Sequence, residues 1–204
     1  MANSNDKIEL KLVENWDLFT KIIESKIENK QLKAPLLKLC EDQSTRIITC
    51  PASTREDYIG AFTGGLVWHS LNVLKTMKEI NKICGNKAST EDMIVASLFH
   101  DIGKIGDKTH DYYYRQDSEW HRERGMFFET NKKLNTSSVS VRSLWWLNQY
   151  AVPMSIDMIS SISAMQNASA TNDFYSTSYL TNLLQQSVQC SCSINRGKTN
   201  ILEE

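Results

Sequence analysis

The sequence predicts an all-α fold, and three observations carry that prediction. Apolar residues recur at helical spacing along most of the chain. Alternating apolar–polar runs of the kind that make half-buried strands are nearly absent. Only three prolines and eight glycines interrupt the 204 residues.

The elements follow in order. Residues 7–30 read as an amphipathic helix with Leu10, Leu12, Trp16, Phe19, Ile22 and Ile23 facing inward. A short helix continues over 32–40, and 41–63 reads as irregular chain broken by Pro51 and closed by Gly60, Gly64 and Gly65. From Leu66 to Cys84 the stripe His69, Val73, Met77, Ile80 and Cys84 predicts a helix whose histidine looks towards the core. Gly85-Asn86 stops it, and Ser89-Thr-Glu-Asp92 has the form of a capping box opening a helix through His100. Gly103 and Gly106 end that one. The polar, aromatic stretch 109–120 reads as a loop, with helices predicted over 121–133, 139–149, 157–166 and 175–190. The last residues, NRGKTNILEE, look loosely held. This divides the chain into a helical extension at 1–57, a main domain at 58–190 and a tail at 191–204.

Composition narrows the function classes. With 41% hydrophobic residues, 23% charged residues and a net charge of −1, the chain has no global pull towards polyanions, so an anion site must be a local patch. No apolar run approaches the roughly 20 residues a membrane helix needs, and the N-terminus lacks the layout of a signal peptide. Five cysteines, at 40, 50, 84, 190 and 192, fit reduced thiols in a cytoplasmic protein better than a disulfide framework. Cys190 and Cys192 stand closer than the usual zinc spacing.

The two best-defined helices carry the chemistry. A short loop joins them, so they pack antiparallel, which returns the end of the second to the start of the first. His69 thereby comes within reach of His100 and Asp101. Imidazole nitrogens and a carboxylate suit a divalent ion such as Mn²⁺, Fe²⁺, Co²⁺, Ni²⁺ or Zn²⁺. Taken singly, His69 reads as a hydrogen-bonded core histidine and His-Asp as a chance pair; it is their combination with the hairpin that points to a metal.

GGLVWHSLNVL (Gly64–Leu74) followed by SLFHDIGK (Ser97–Lys104) resembles the HD-domain superfamily of metal-dependent phosphohydrolases. The variant is similar to that of bacterial exonuclease-associated HD domains and small HD proteins of tailed bacteriophages. The resemblance covers roughly residues 58–190 and is strongest over 64–104. It implies an all-α HD-domain bundle around a divalent ion (Mn, Fe, Co, Ni, Zn or Mg) that activates water against a phosphoester or phosphoanhydride. Asp101 is then both ligand and orienter of that water. Lys104 is either a phosphate contact that offsets developing charge or a solvated lysine. His121 in WHRERG (Trp120–Gly125) resembles the element that supplies a ligand to a second metal in binuclear members, and Arg122 and Arg124 beside it become candidate phosphate contacts. Tyr112, Tyr113, Tyr114 and Trp120 are candidates for a base-stacking wall, or simply packed loop aromatics.

The resemblance also departs from its pattern. Met165 or its neighbour in SSISAMQN stands where such proteins place a further histidine. In LLQQSVQC, Gln185 and Val188 stand where they place a histidine and the aspartate that closes the site. Asp173 and His121 are the substitutes on offer, while His110-Asp111 reads as coincidental. Two functions follow: a metal-dependent phosphohydrolase acting on a nucleotide or nucleic-acid phosphate, or a degenerate HD domain that binds a nucleotide or a protein without turnover. The partner in the first case is a phosphate-containing small molecule or an oligonucleotide, with no membrane.

Overall fold

The computed structural model describes residues 4–165 and 177–202. Helices dominate: α1 (Ser4–Lys26), α2 (Lys30–Asp42), α3 (Ser44–Thr49), α4 (Gly65–Ile83), α5 (Thr90–Phe99), α6 (Glu119–Arg122), α7 (Val139–Gln149), α8 (Ile156–Ala164) and α9 (Tyr179–Ile194). A 3₁₀ turn spans Ile102–Ile105, and the one sheet among the described residues is an antiparallel pair, β1 (Tyr113–Arg115) and β2 (Phe128–Thr130). The all-α expectation holds. None of the described helices is long and apolar enough to cross a membrane.

One apolar core runs through the chain, from Phe19, Ile23 and Leu36 through Ile94 and Phe99 to Trp146, Ile162 and Leu184. The α4–α5 hairpin lies within it. Ser89 caps α5 by accepting from the Asp92 amide at 3.0 Å, as the capping-box spacing predicts. The loop between the helices is held by Asn81, whose amide side chain pairs with both backbone groups of Ala88. α9 lies against α4, with Tyr179 donating to Asn81 Oδ1 at one end and Lys198 over the Trp68 ring at the other.

Four expectations change. Residues 44–49 form α3 within the stretch read as irregular, and Arg46 on it donates to the carbonyls of Ile105, Asp107 and His110 and to Asp111 Oδ1. These contacts are distant in sequence, so no local pattern announces them. The helix predicted over 121–133 is a single turn followed by β2; Gly125 takes a left-handed φ of +71°, and the Phe-Phe-Glu-Thr run then suits a strand. Leu10 is 60% exposed, because α1 meets the core through its later turns at Phe19 and Ile23. The C-terminal residues are not loose over their described part: α9 continues to Ile194 and Ile201 is buried.

Candidate metal centre

His69 sits in the second turn of α4, and Gly64 and Gly65 set where that helix begins. Gly64 adopts φ +85°, and a Cβ on Gly65 would lie 2.0 Å from the Gly60 carbonyl oxygen. His100 caps the C-terminus of α5, and Asp101 opens the 3₁₀ turn. His69 and His100 are buried; Asp101 is partly so.

The antiparallel hairpin brings the three together. His69 Nε2 lies 4.0 Å and His100 Nε2 3.5 Å from Asp101 Oδ2, and the imidazoles meet edge to face at 5.5 Å. One donor atom from each of the three residues falls within 4.8 Å of the others. His100 Nδ1 is 2.8 Å from the Ser97 carbonyl, so that nitrogen carries the proton and Nε2 turns a lone pair inward. His100 Nε2 is buried with no hydrogen-bond partner, and so is His69 Nδ1. A buried polar atom left without a partner costs about 1–3 kcal/mol. A lone-pair nitrogen, a second imidazole and a carboxylate at this spacing fit a divalent cation, which would satisfy His100 Nε2.

The electrostatics agree with that fit. Burial drives the His69 pKa down to about 3, helped by His100 beside it, and burial lowers that of His100 as well. Both are therefore neutral at pH 7, the form in which imidazole ligates metal. Burial pushes the Asp101 carboxyl up, but the Lys104 ammonium and the two histidines outweigh it and hold the pKa below the usual carboxylate range. Lys104 Nζ donates to Asp101 Oδ2 at 2.5 Å; burial lowers its pKa, and Asp101 more than offsets this. Lys104 is thus a partner of the carboxylate, with 16% of its side chain exposed, and not a freely solvated lysine.

α7 positions the turn. Ser143 Oγ accepts from the Gly103 amide at 2.9 Å and donates to the His100 carbonyl at 2.7 Å. Arg142 Nε donates to the Gly103 carbonyl, and Trp146 Nε1 to that of Gly106. A Cβ on Gly103 would stand 2.3 Å from the Val139 carbonyl oxygen, so only glycine lets the turn approach α7 this closely. Sequence reasoning missed Arg142, Ser143 and Trp146, which lie about 40 residues from the groups they hold.

The remaining candidates lie outside the trio, although Tyr113 lines a cavity together with Lys104. His121 is absent from the cluster with His69, and its ring packs on Trp120. Arg122 Nη1 donates to the carbonyls of Gln116 and Asp117, both at 2.9 Å. Arg124 stacks 3.6 Å over the Trp120 ring and donates to the Trp120 carbonyl. Asp111 pairs with Arg46, and His110 faces Thr109 and Asp107. Of the tyrosines, Tyr112 lies under the Arg142 guanidinium and Tyr114 accepts from Asn131. On α9, Val188 packs against the core and Gln185 Nε2 donates to the Ala164 carbonyl. One turn beyond, burial raises the pKa of the Cys192 thiol, and Lys104 and Asp101 both act on it, which puts that side chain near the site. Asp173 lies outside the described residues.

The family model of the HD domain matches residues 67–140, a stretch containing His69, His100, Asp101, Lys104 and the α7 N-terminus. No curated protein and no solved structure matches the chain.

Proposed function

We propose, from the HD-domain match and the buried trio it spans, that this chain is a metal-dependent phosphohydrolase acting on a nucleotide or nucleic-acid phosphate. The observation that carries the reading is the inward, partnerless Nε2 of His100 beside Asp101 and His69. Those three residues would hold the ion, which when bound supplies an acidified water and charge neutralisation at phosphate. The chain's own part is to fix two neutral imidazoles and an ionised carboxylate against one another. Asp101 accepts from Lys104 and is the group placed to orient a water nucleophile; Lys104 offers a positive charge to a phosphoryl oxygen. Residues 58–190 are the proposed HD unit, with 1–57 as a helical extension and 191–204 as the C-terminal segment. The proposed setting is cytoplasmic, with a tailed-phage or exonuclease-associated affinity suggested by the motifs of α4 and α5.

A second reading, a degenerate HD domain that binds a nucleotide or a protein without turnover, draws on α9. That helix sets Val188 against the core and contributes no carboxylate along Tyr179–Ile194. One experiment separates the two. Purified protein is analysed for bound metal, then screened for phosphate release from nucleoside triphosphates, cyclic nucleotides and short oligonucleotides with Mn²⁺, Co²⁺ or Ni²⁺. Turnover that disappears in Asp101→Ala supports the enzyme. A metal-free protein that turns over none of these yet binds a nucleotide establishes the degenerate domain instead.

A further inference from the structure

One cavity, of about 320 Å³, is lined by Lys104, and a second, of about 540 Å³, is lined by Arg122. Both are lined by Thr63, Arg115 and Phe128, so they adjoin along the cleft between the loop leading into α4 and the β1–β2 hairpin. Lys104 lines the first cavity and is bonded to Asp101, which places the cleft one side chain away from the metal-type cluster.

Four cations line this cleft, and they differ in how many of their donors the chain already uses. Arg46 spends its guanidinium on the carbonyls of Ile105, Asp107 and His110 and on Asp111. Lys104 is held by Asp101, and Arg122 by the Gln116 and Asp117 carbonyls. Arg115 differs: its hydrogen bond among the described residues is one from Nη2 to Thr63 Oγ1, at 3.3 Å. A guanidinium has five N–H donors, so most of the fork of this exposed side chain has no acceptor among the described residues.

The backbone beneath Arg115 is well fixed. It pairs with Phe128 across the hairpin, the Gln116 amide donates to the Phe127 carbonyl, and the Phe127 amide donates to the Thr54 carbonyl at 2.9 Å. We infer that Arg115 is the anion anchor of this cleft, binding a phosphate group of the ligand other than the one placed at the trio. A guanidinium matches two phosphate oxygens at once, which an ammonium cannot do. This inference rests on the phosphohydrolase reading for its ligand class. It moves the anchoring role from Arg122 and Arg124 to a strand residue.

Inorganic pyrophosphate is the probe, used on the full chain freed of metal so that it cannot bind through an ion. Phenylglyoxal modification, mapped by peptide mass spectrometry, should label Arg115, and pyrophosphate should protect it severalfold while leaving Arg46 and Arg122 unchanged. By calorimetry, Arg115→Gln should weaken pyrophosphate binding about tenfold or more, with Arg115→Lys intermediate and Arg122→Gln within about twofold of wild type. The inference is overturned if pyrophosphate does not bind, if Arg122 is the protected residue, or if Arg115→Gln binds as wild type does. Should Arg115→Gln misfold, the protection pattern of the wild-type chain decides alone. The two readings fail separately. Pyrophosphate held by Arg115 in a protein with no turnover removes the hydrolase and keeps the anchor; turnover with an unchanged KM in Arg115→Gln does the reverse.

Discussion

The hairpin of α4 and α5 and the hairpin of β1 and β2 flank the same site but are built by opposite means. The first is apolar and interior: every residue from Met93 to His100 is buried, and the functional groups are the few polar atoms that burial isolates. The second is polar and half-exposed, held by backbone hydrogen bonds to Thr54 and Gln116 and by short-range side-chain pairs. Interior construction fixes geometry and protonation state, which a metal requires. Peripheral construction leaves donors free, which a ligand requires. A test of this contrast is whether losses in the first region are large and affect folding or metal together, while those in the second are small and confined to the ligand.

The largest effect is expected at Asp101. Asp101→Ala removes the only carboxylate of the trio and should lower Mn²⁺ or Co²⁺ affinity more than about 100-fold, beyond what loss of an outer-shell partner costs. Calorimetric titration of the purified variant measures it. Retained affinity would mean that the ion, if any, is held elsewhere.

Next comes the contact between the Asp101 turn and α7. In Gly103→Ala the added methyl meets the Val139 carbonyl oxygen and the Ser143 nitrogen, both backbone atoms that cannot swing away. The expected cost is about 3 kcal/mol, at the upper end for overpacking, read by urea denaturation. Ser143→Ala tests the same contact more gently. It leaves the Gly103 amide and His100 carbonyl without their side-chain partner and should cost about 1–3 kcal/mol.

Acid offers a third test, specific to the interior region. His69 and His100 have pKa values depressed in the folded chain, that of His69 to about 3. As pH falls below the unfolded value near 6.5, the unfolded state binds protons that the native state refuses, so stability falls. Asp101, also depressed, adds to the loss below about pH 4, where only the unfolded carboxylate protonates. Metal-free protein should lose on the order of 1 kcal/mol per pH unit from His69 between pH 6 and 4, with His100 adding to the loss in the same direction. A flat profile in denaturant titrations across that range would mean that the two rings are not buried neutral.

The same contrast explains what was legible in the sequence. His69, His100 and Asp101 could be brought together because helix periodicity and a short loop are local signals, and antiparallel return is the one geometry they allow. Tyr113–Arg115 and Phe128–Thr130 could not: three-residue strands carry too little alternation, and the aromatic residues on either side of Gly125 imitate a helical stripe. Ser143, Arg142 and Trp146 were invisible for another reason. Their role lies in reaching backbone groups about 40 residues away, and backbone groups have no sequence signature. Arg122 and Arg124 stood out beside a motif histidine, whereas Arg115 stood beside nothing recognisable.

The smallest effect is expected at Arg124, where the peripheral region can be tested without touching the cleft. Its guanidinium lies flat over Trp120 and its Nη1 bonds the Trp120 carbonyl, so it holds the single turn of α6 together and faces away from any ligand role. An exposed cation–π contact is worth about 0.5–1 kcal/mol. Arg124→Ala should therefore lower stability by about that much in denaturant titration, and leave both Co²⁺ and pyrophosphate affinity within about twofold of wild type. A larger loss of pyrophosphate affinity in Arg124→Ala than in Arg115→Gln would reverse the assignment, because it would make the α6 arginine, and not the strand arginine, the one that meets the anion.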